Sequence, residues 1–288
     1  MQDSLDAIRQ ELKRLHLEGV ERVYVENTTL EEVAQRRSVE TVEEPSNRTD
    51  ILKQVSGDQE EEPTIASAFP PPPVLSMPES DATSQMKWLQ KTVLDCPTTR
   101  EQLGTNAKIV FGQGDVQSDL FFCGEAPTQE EARCGRPFVG QAGELLEKII
   151  SAMGLEREQV YLTNILHWRP DYDEPNGNRL PTADEMKFSL PYLKAQIQIV
   201  QPKVIIAMGN TALSGLLGPD PNRRMASIRG TWLEFEGIPL MATFHPSYLL
   251  RRNDNTTKRQ VWEDLLLVMK KAGLPISEKQ QSYFLPKT

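Results

Sequence analysis

From about residue 107 onward, short apolar runs rich in β formers alternate with longer helical segments. This alternation constrains the fold more than any other feature of the 288-residue chain. "AKIVFG", "DLFFCGEA", "QVYLTNIL", "PKVIIAMG" and "IPLMATF" read as strands, because they are short, β-branched or aromatic, and bounded by turn residues. Between them, "VGQAGELLEKIISAMG" places Leu145, Leu146, Ile149, Ile150 and Met153 at helical spacing and stops at Gly154. "TADEMKFSLPYLKAQIQIV" opens with Thr182 and carries Glu185 three residues later, the pattern of a capping box. Pro191 is expected to bend that helix. "NTALSGLLG" and "TTKRQVWEDLLLVMKKAG" supply two more helices. Strands that alternate with helices imply a parallel sheet covered on both faces. Ligands in such sheets bind at the carboxyl ends of the strands.

The chain ahead of this pattern has a different character. Residues 1–85 hold 18 acidic residues against 8 basic ones, so the whole-chain net charge of −9 belongs to this third. Residues 86–288 are close to neutral, and global charge argues neither for nor against a polyanionic partner. Leu5, Ile8, Leu12 and Leu15 line one face of a short helix behind Asp3, which predicts an amphipathic segment over 1–24. It packs on its own domain or docks on a partner, and the spacing does not choose. Residues 25–85 are rich in Glu, Ser, Thr and Pro and are expected to be a disordered linker, stiffened at Pro70–Pro73. "MKWLQKTVL" then opens a domain over 86–275, and 276–288 form a C-terminal tail.

Cys96, Cys123 and Cys134 show no paired spacing, as expected in a reducing cytosol. No apolar run approaches the ~18 residues needed to cross a bilayer. The acidic start "MQDSLDAIRQ" has no apolar signal core. A cytoplasmic location and no membrane partner are therefore expected.

The unusual residues gather where the strands end. "FFCGEAPT" closes on Glu125, "VYLTN" on Asn164, and "MATFHP" on His245. Phe138 lies between a proline and Val139-Gly140 in "GRPFVGQAG". Singly, each has a plain reading: a turn amide, a satisfied histidine, a core aromatic, a solvated carboxylate. Together, at one rim of one sheet, they make a pocket for a small planar polar ring. Phe138 stacks on such a ring, Asn164 reads its donor–acceptor edge, and His245 donates to one of its oxygens. No phosphate-cradling, metal-like or triad-like spacing occurs in the chain.

"GEAPTQEEARCGRPFVGQAG", "VYLTNILHWRP", "NRLPTADE", "VQPKVIIAMG", "IRGTW" and "TFHPSYLLR" together resemble the uracil-DNA glycosylase superfamily, most of all its family 4. The resemblance covers about residues 96–272, in order and with similar separations. It implies a three-layer α/β/α sandwich with a four-stranded parallel sheet. It also implies a monomeric DNA repair enzyme, nucleoid-associated in a bacterium, that flips uracil out of DNA and cleaves the base–sugar bond to leave an abasic site. Phe138 would stack on the flipped base, Asn164 would bond its edge, and His245 would face the oxygen that gains charge as the base leaves. Glu125 matches the acidic residue of the first motif, Thr128 borders the C5 side of the base, and Asn178 lies nearer the pocket wall. Leu249 or Leu250 would fill the gap in the base stack, and Arg251 would hold a phosphate. Apolar wedges and positioning arginines of this kind recur in DNA-binding proteins. The bond cleavage needs no metal or organic cofactor.

The chain also departs from the resemblance. Family 4 members hold a [4Fe–4S] cluster on four cysteines. Here the corresponding positions are Cys96, Thr99 or Arg100, Trp168 and Ser189, so no cluster is expected. Thr128 stands where the family has glycine, which raises an altered base preference as one alternative. A second alternative is a glycosylase fold that binds DNA or a protein partner without catalysis. The partner would meet the N-terminal helix or the proline-rich segment.

Overall fold

The computed structural model describes residues 69–104, 106–170 and 179–285. The N-terminal amphipathic helix, the linker up to residue 68, and Asn178 lie outside the described residues.

The helices and strands, in chain order, are α1 (Ala82–Asp95), α2 (Pro97–Glu101), β1 (Gln113–Gly114), β2 (Leu120–Gly124), α3 (Gln129–Cys134), α4 (Gly140–Ala152), β3 (Tyr161–Asn164), α5 (Ala183–Val200), β4 (Val204–Met208), α6 (Asn210–Leu217), α7 (Met225–Ile228), β5 (Trp232–Phe235), β6 (Ile238–Thr243), α8 (Pro246–Arg252), α9 (Asn255–Ala272) and α10 (Glu278–Gln281). A 3-10 turn at Arg157–Gln159 leads into β3. The sheet has six strands in the order β1-β3-β2-β4-β6-β5. Its centre, β3-β2-β4-β6, is parallel. The outer pairs β1–β3 and β5–β6 are antiparallel. The expected four-stranded parallel sheet is therefore corrected to a six-stranded mixed one.

The edge strands account for that difference. Trp232–Phe235 is joined to β6 by a turn at Glu236-Gly237, whose φ angles of 51° and 78° are both positive. This is the geometry that favours a tight hairpin over a crossover. "AKIVFG" does not form a strand. Ile109, Val110 and Phe111 are buried, but Val110 donates its amide to the carbonyl of His167. The Phe111 carbonyl accepts from the Thr163 hydroxyl and the Gln196 amide. Scattered backbone and side-chain partners, rather than a ladder, satisfy this segment.

Alternation along the central strands builds two cores. Phe121, Cys123, Ile205, Ala207, Leu240 and Ala242 face α1, α5 and α6. Leu120, Phe122, Leu162, Ile206, Met208 and Met241 face α4, α8 and α9. Successive side chains of a strand point to opposite faces, so strands buried on both sides read as unbroken apolar runs. The capping box of α5 forms, with Thr182 accepting from Glu185 and Glu185 reaching back to Thr182. Arg179 holds the same carboxylate in a bidentate pair.

Two terminal stretches carry contacts. Phe69 stacks on Trp168 at 6.4 Å and tilts against Phe188 at 5.6 Å. Beyond α9, Tyr283 packs on Trp262, whose indole donates to the carbonyl of Gln280.

Candidate active site

Because the central strands are parallel, their carboxyl ends share one rim. Gly124 and Asn164 are register partners at the ends of β2 and β3. Gly209, just past β4, donates its amide to Thr243 at the end of β6, and His245 follows two residues later. The chain leaves β2 towards α4 on one face and β3 towards α5 on the other. Diverging connections of this kind open a crevice between adjacent strand ends.

Phe138 and Asn164 define that crevice. Phe138 has φ of 52°, the left-handed region that costs an L residue roughly 1–2 kcal/mol. Its ring lies against Gly124, where a Cβ would sit 2.7 Å from Cζ and closer still to Oδ1 of Asn164. Glycine at 124 thus lets the ring and the amide approach the same strand end. Asn164 is 2% exposed, and its Nδ2 has no hydrogen-bond partner among the described residues. A buried donor without an acceptor costs about 1–3 kcal/mol, and such groups mark sites that expect a ligand.

His245 stands opposite, with its ring 6.3 Å from that of Phe138. The residues that follow His245 form a helix. Pro246 occupies the first position of α8, and His245 is its N-cap. Proline suits that position because its missing N–H would be unsatisfied there anyway. Nδ1 of His245 accepts from the backbone N–H of Ser247 at 3.2 Å and meets the Ser247 hydroxyl at 2.9 Å. A backbone N–H can only donate, so a neutral ring carries its proton on Nε2. Burial, with the nearby Arg251 charge, pushes the His245 pKa down to about 4. The ring is neutral at pH 7 and has an Nε2–H free to donate.

The remaining expected residues separate. Glu125 is half-buried at the rim, and its carbonyl accepts from Leu166. Thr128 is exposed, and its hydroxyl caps α3 by accepting from Glu131. Of the two leucines expected at the base stack, Leu249 is 3% exposed and belongs to the core cluster with Met208 and Leu265. Leu250 is 41% exposed and keeps that possibility, since helical geometry turns adjacent side chains about 100° apart. Arg251 is exposed in the last turn of α8, near the Tyr248 ring. His167 is fully buried, bonded to Ser189 and Gln196, and stacked on Phe111.

Residues 111–266, more than half of the chain, match the uracil DNA glycosylase superfamily. The chain belongs to that superfamily. It is 41% identical over 158 residues to the type-4 uracil-DNA glycosylase of Thermotoga maritima, covering 54% of this chain and 79% of the relative. It is 33% identical over 205 residues to the type-4 enzyme of Sulfurisphaera tokodaii, covering 68% and 89%. A type-5 uracil-DNA glycosylase of Pyrobaculum aerophilum is 26% identical over 175 residues, covering 56% and 73%.

The cluster that the family 4 resemblance implies does not fit the residues at its positions. Trp168 is fully buried, ringed by Phe69 and Phe188, and its indole N–H has no partner among the described residues. Ser189 is fully buried and bonded to His167. Thr99 is fully buried, and Cys96 alone offers sulfur there. Cys123 lies inside β2, where burial drives its thiol pKa upward, and Cys134 is exposed at the end of α3. The chain has 3 cysteines, whereas such a cluster is held by four thiolates.

Three further groups surround the site. Glu131 is 5% exposed and accepts the Thr128 amide at 2.7 Å. Arg157 is buried against the Phe138 loop. Asp264, on α9, is fully buried, pairs with Arg229 and accepts the Thr243 hydroxyl at 2.7 Å. This pair anchors the end of β6 ahead of His245. The Arg157 and Asp264 partnerships span long sequence separations, so no local spacing encodes them, whereas Thr128 and Glu131 lie three residues apart as a capping box.

Proposed function

We propose that the protein removes uracil from DNA by hydrolysing the bond between N1 of the base and C1′ of the sugar. The observation that carries this reading is the buried, unpartnered amide nitrogen of Asn164, whose side chain shares the end of β2 with the Phe138 ring, itself 6.3 Å from the neutral His245 ring. An extruded uracil would stack on Phe138 and offer its edge to Asn164. As the bond breaks, its electron pair passes to the base, and Nε2–H of His245 donates to the ring oxygen that becomes negative. One preorganised donor of this type is typically worth about 2.7–4 kcal/mol. Glu125 would orient the water that adds at C1′, and its proton passes to solvent. Leu250 would hold the gap left in the stack and Arg251 a flanking phosphate. Flipping costs a few kcal/mol, least at a mismatched pair such as U·G.

The reaction so written needs no metal, and the product is an abasic site with the strand intact. Purified full-length protein should therefore convert a uracil duplex into a product that breaks only after alkali. Oligonucleotides with U·G, U·A, hypoxanthine and no lesion discriminate the alternatives. Cleavage at hypoxanthine but not uracil would favour an altered base choice at Thr128. DNA binding without cleavage of any substrate would refute the enzymatic reading. Iron and sulfide below about 0.1 per chain would support operation without a four-thiolate cluster.

A further inference from the structure

Phe138 is the residue on which the proposed site turns, yet its backbone is in a left-handed conformation that an aromatic residue does not favour, φ 52°. Something must hold it there. Its carbonyl accepts from Nη1 of Arg157 at 3.1 Å, and the preceding Pro137 carbonyl accepts from Nη2 at 2.5 Å. The guanidinium therefore forks across two consecutive carbonyls. On the amide side, the N–H groups of Phe138 and Val139 are directed at the buried carboxylate of Glu131. That carboxylate also accepts from Thr128. Gly143 of α4 closes the remaining side, since a Cβ there would collide with the Phe138 carbonyl.

Arg157 is 9% exposed, and its Nε has no hydrogen-bond partner among the described residues. Among the described residues its hydrogen-bond partners are these two carbonyls, and no carboxylate bonds it. Burying a cation this way is a poor source of stability. It is a good source of geometry, because a planar fork fixes two acceptors at once.

We propose that Arg157 is a positioning residue for base recognition. With Glu131 as the opposing jaw, it clamps the Phe138 backbone so that the ring is preset against Gly124 and across from His245. The clamp rests on the glycosylase reading for its function, but not for its existence. It acts on recognition through Phe138 alone. Removing it therefore costs nothing further once the ring is gone.

The experiment compares full-length wild type, R157K, R157M, F138A and the R157M/F138A double variant. In single-turnover cleavage of a U·G duplex, R157M is expected to lose about 10- to 100-fold, as a misplacement near 1 Å does. R157K, which keeps the charge but not the fork, should fall between. In the F138A background, R157M should cost less than about threefold, the signature of coupled residues. A full-rate R157M, or losses that simply multiply in the double variant, would overturn the clamp. Ring-carbon NMR of labelled phenylalanines supplies a reading that needs no catalysis. The Phe138 signals, identified by their loss in F138A, should shift or broaden in R157K while those of Phe121 stay fixed. Unmoved Phe138 signals also overturn the clamp. If wild type is inert on uracil while the Phe138 signals move as expected, the glycosylase reading fails and the clamp stands.

Discussion

Replacing Gly124 by alanine should disable the site while leaving the fold standing. A Cβ at 124 would lie 2.7 Å from Cζ of Phe138, whereas non-bonded carbons rest at about 3.5–4.0 Å. The ring must retreat by roughly 1 Å. The Asn164 amide, whose Oδ1 is still nearer, must turn away as well. Overpacking of this size costs about 1–3 kcal/mol. For a domain of this length that corresponds to a melting shift of roughly 2–4 °C per kcal/mol. The kinetic cost is larger in proportion, because two recognition groups move together. A displacement near 1 Å commonly costs about 100-fold in rate. The assay is single-turnover cleavage of a U·G duplex beside thermal unfolding of the same preparation. G124A should remain cooperatively folded and lose about 100-fold or more in rate. Activity within about threefold of wild type would refute the reasoning, since it would mean that Phe138 and Asn164 need not share the end of β2.

Four further outcomes follow from the same geometry. The rate should stay flat from pH 8 to about pH 5 and fall only as His245 protonates near its pKa of about 4; an inflection near pH 6.5, the ordinary histidine value, would contradict a depressed pKa. His167 is held neutral by burial with its pKa pushed down to about 3, so the unfolded chain binds the extra proton first. The contribution of His167 to stability is then full above pH 6.5 and declines as pH falls towards 3, by on the order of 4 kcal/mol; urea midpoints across that range, compared with H167N, should show the slope and its reduction, with His245 contributing the remainder. L249A should destabilise by about 2–5 kcal/mol as a core truncation, whereas L250A should leave the melting temperature within about 2 °C and weaken cleavage of duplex more than of single strands. F69A, which uncovers one face of Trp168, should lower stability by about 1–3 kcal/mol in denaturant titrations without changing the rate on uracil.

Much of this protein was legible in one dimension because its signals are local. The capping box at Thr182 and Glu185, the helix stop at Gly154, and the unbroken apolar strands each depend on neighbours a few residues apart. The parallel centre of the sheet follows from strands alternating with helices, and with it the rim that gathers Glu125, Asn164 and His245. Other features depend on partners far along the chain. "AKIVFG" has the composition of a strand, but its carbonyls and amides are met by Thr163, Gln196 and His167. Composition cannot reveal that competition. Nor does the sequence distinguish Leu249 from Leu250, because which one faces the core depends on the helix that starts at Pro246.

The sequence by itself determined the residue types of the pocket and their order along the sheet, since strand ends in a parallel sheet share a rim. Tertiary structure alone decided the state of those residues. His245 is neutral because partial burial and the nearby Arg251 charge disfavour its cation, and its proton sits on Nε2 because Ser247 offers a backbone N–H to Nδ1. Asn164 keeps a free donor because no group among the described residues accepts from it. Phe138 holds a left-handed backbone because Arg157 reaches across 19 residues to grip it. Hydrogen-bond partners and desolvation are properties of neighbours in space, and packing alone sets them.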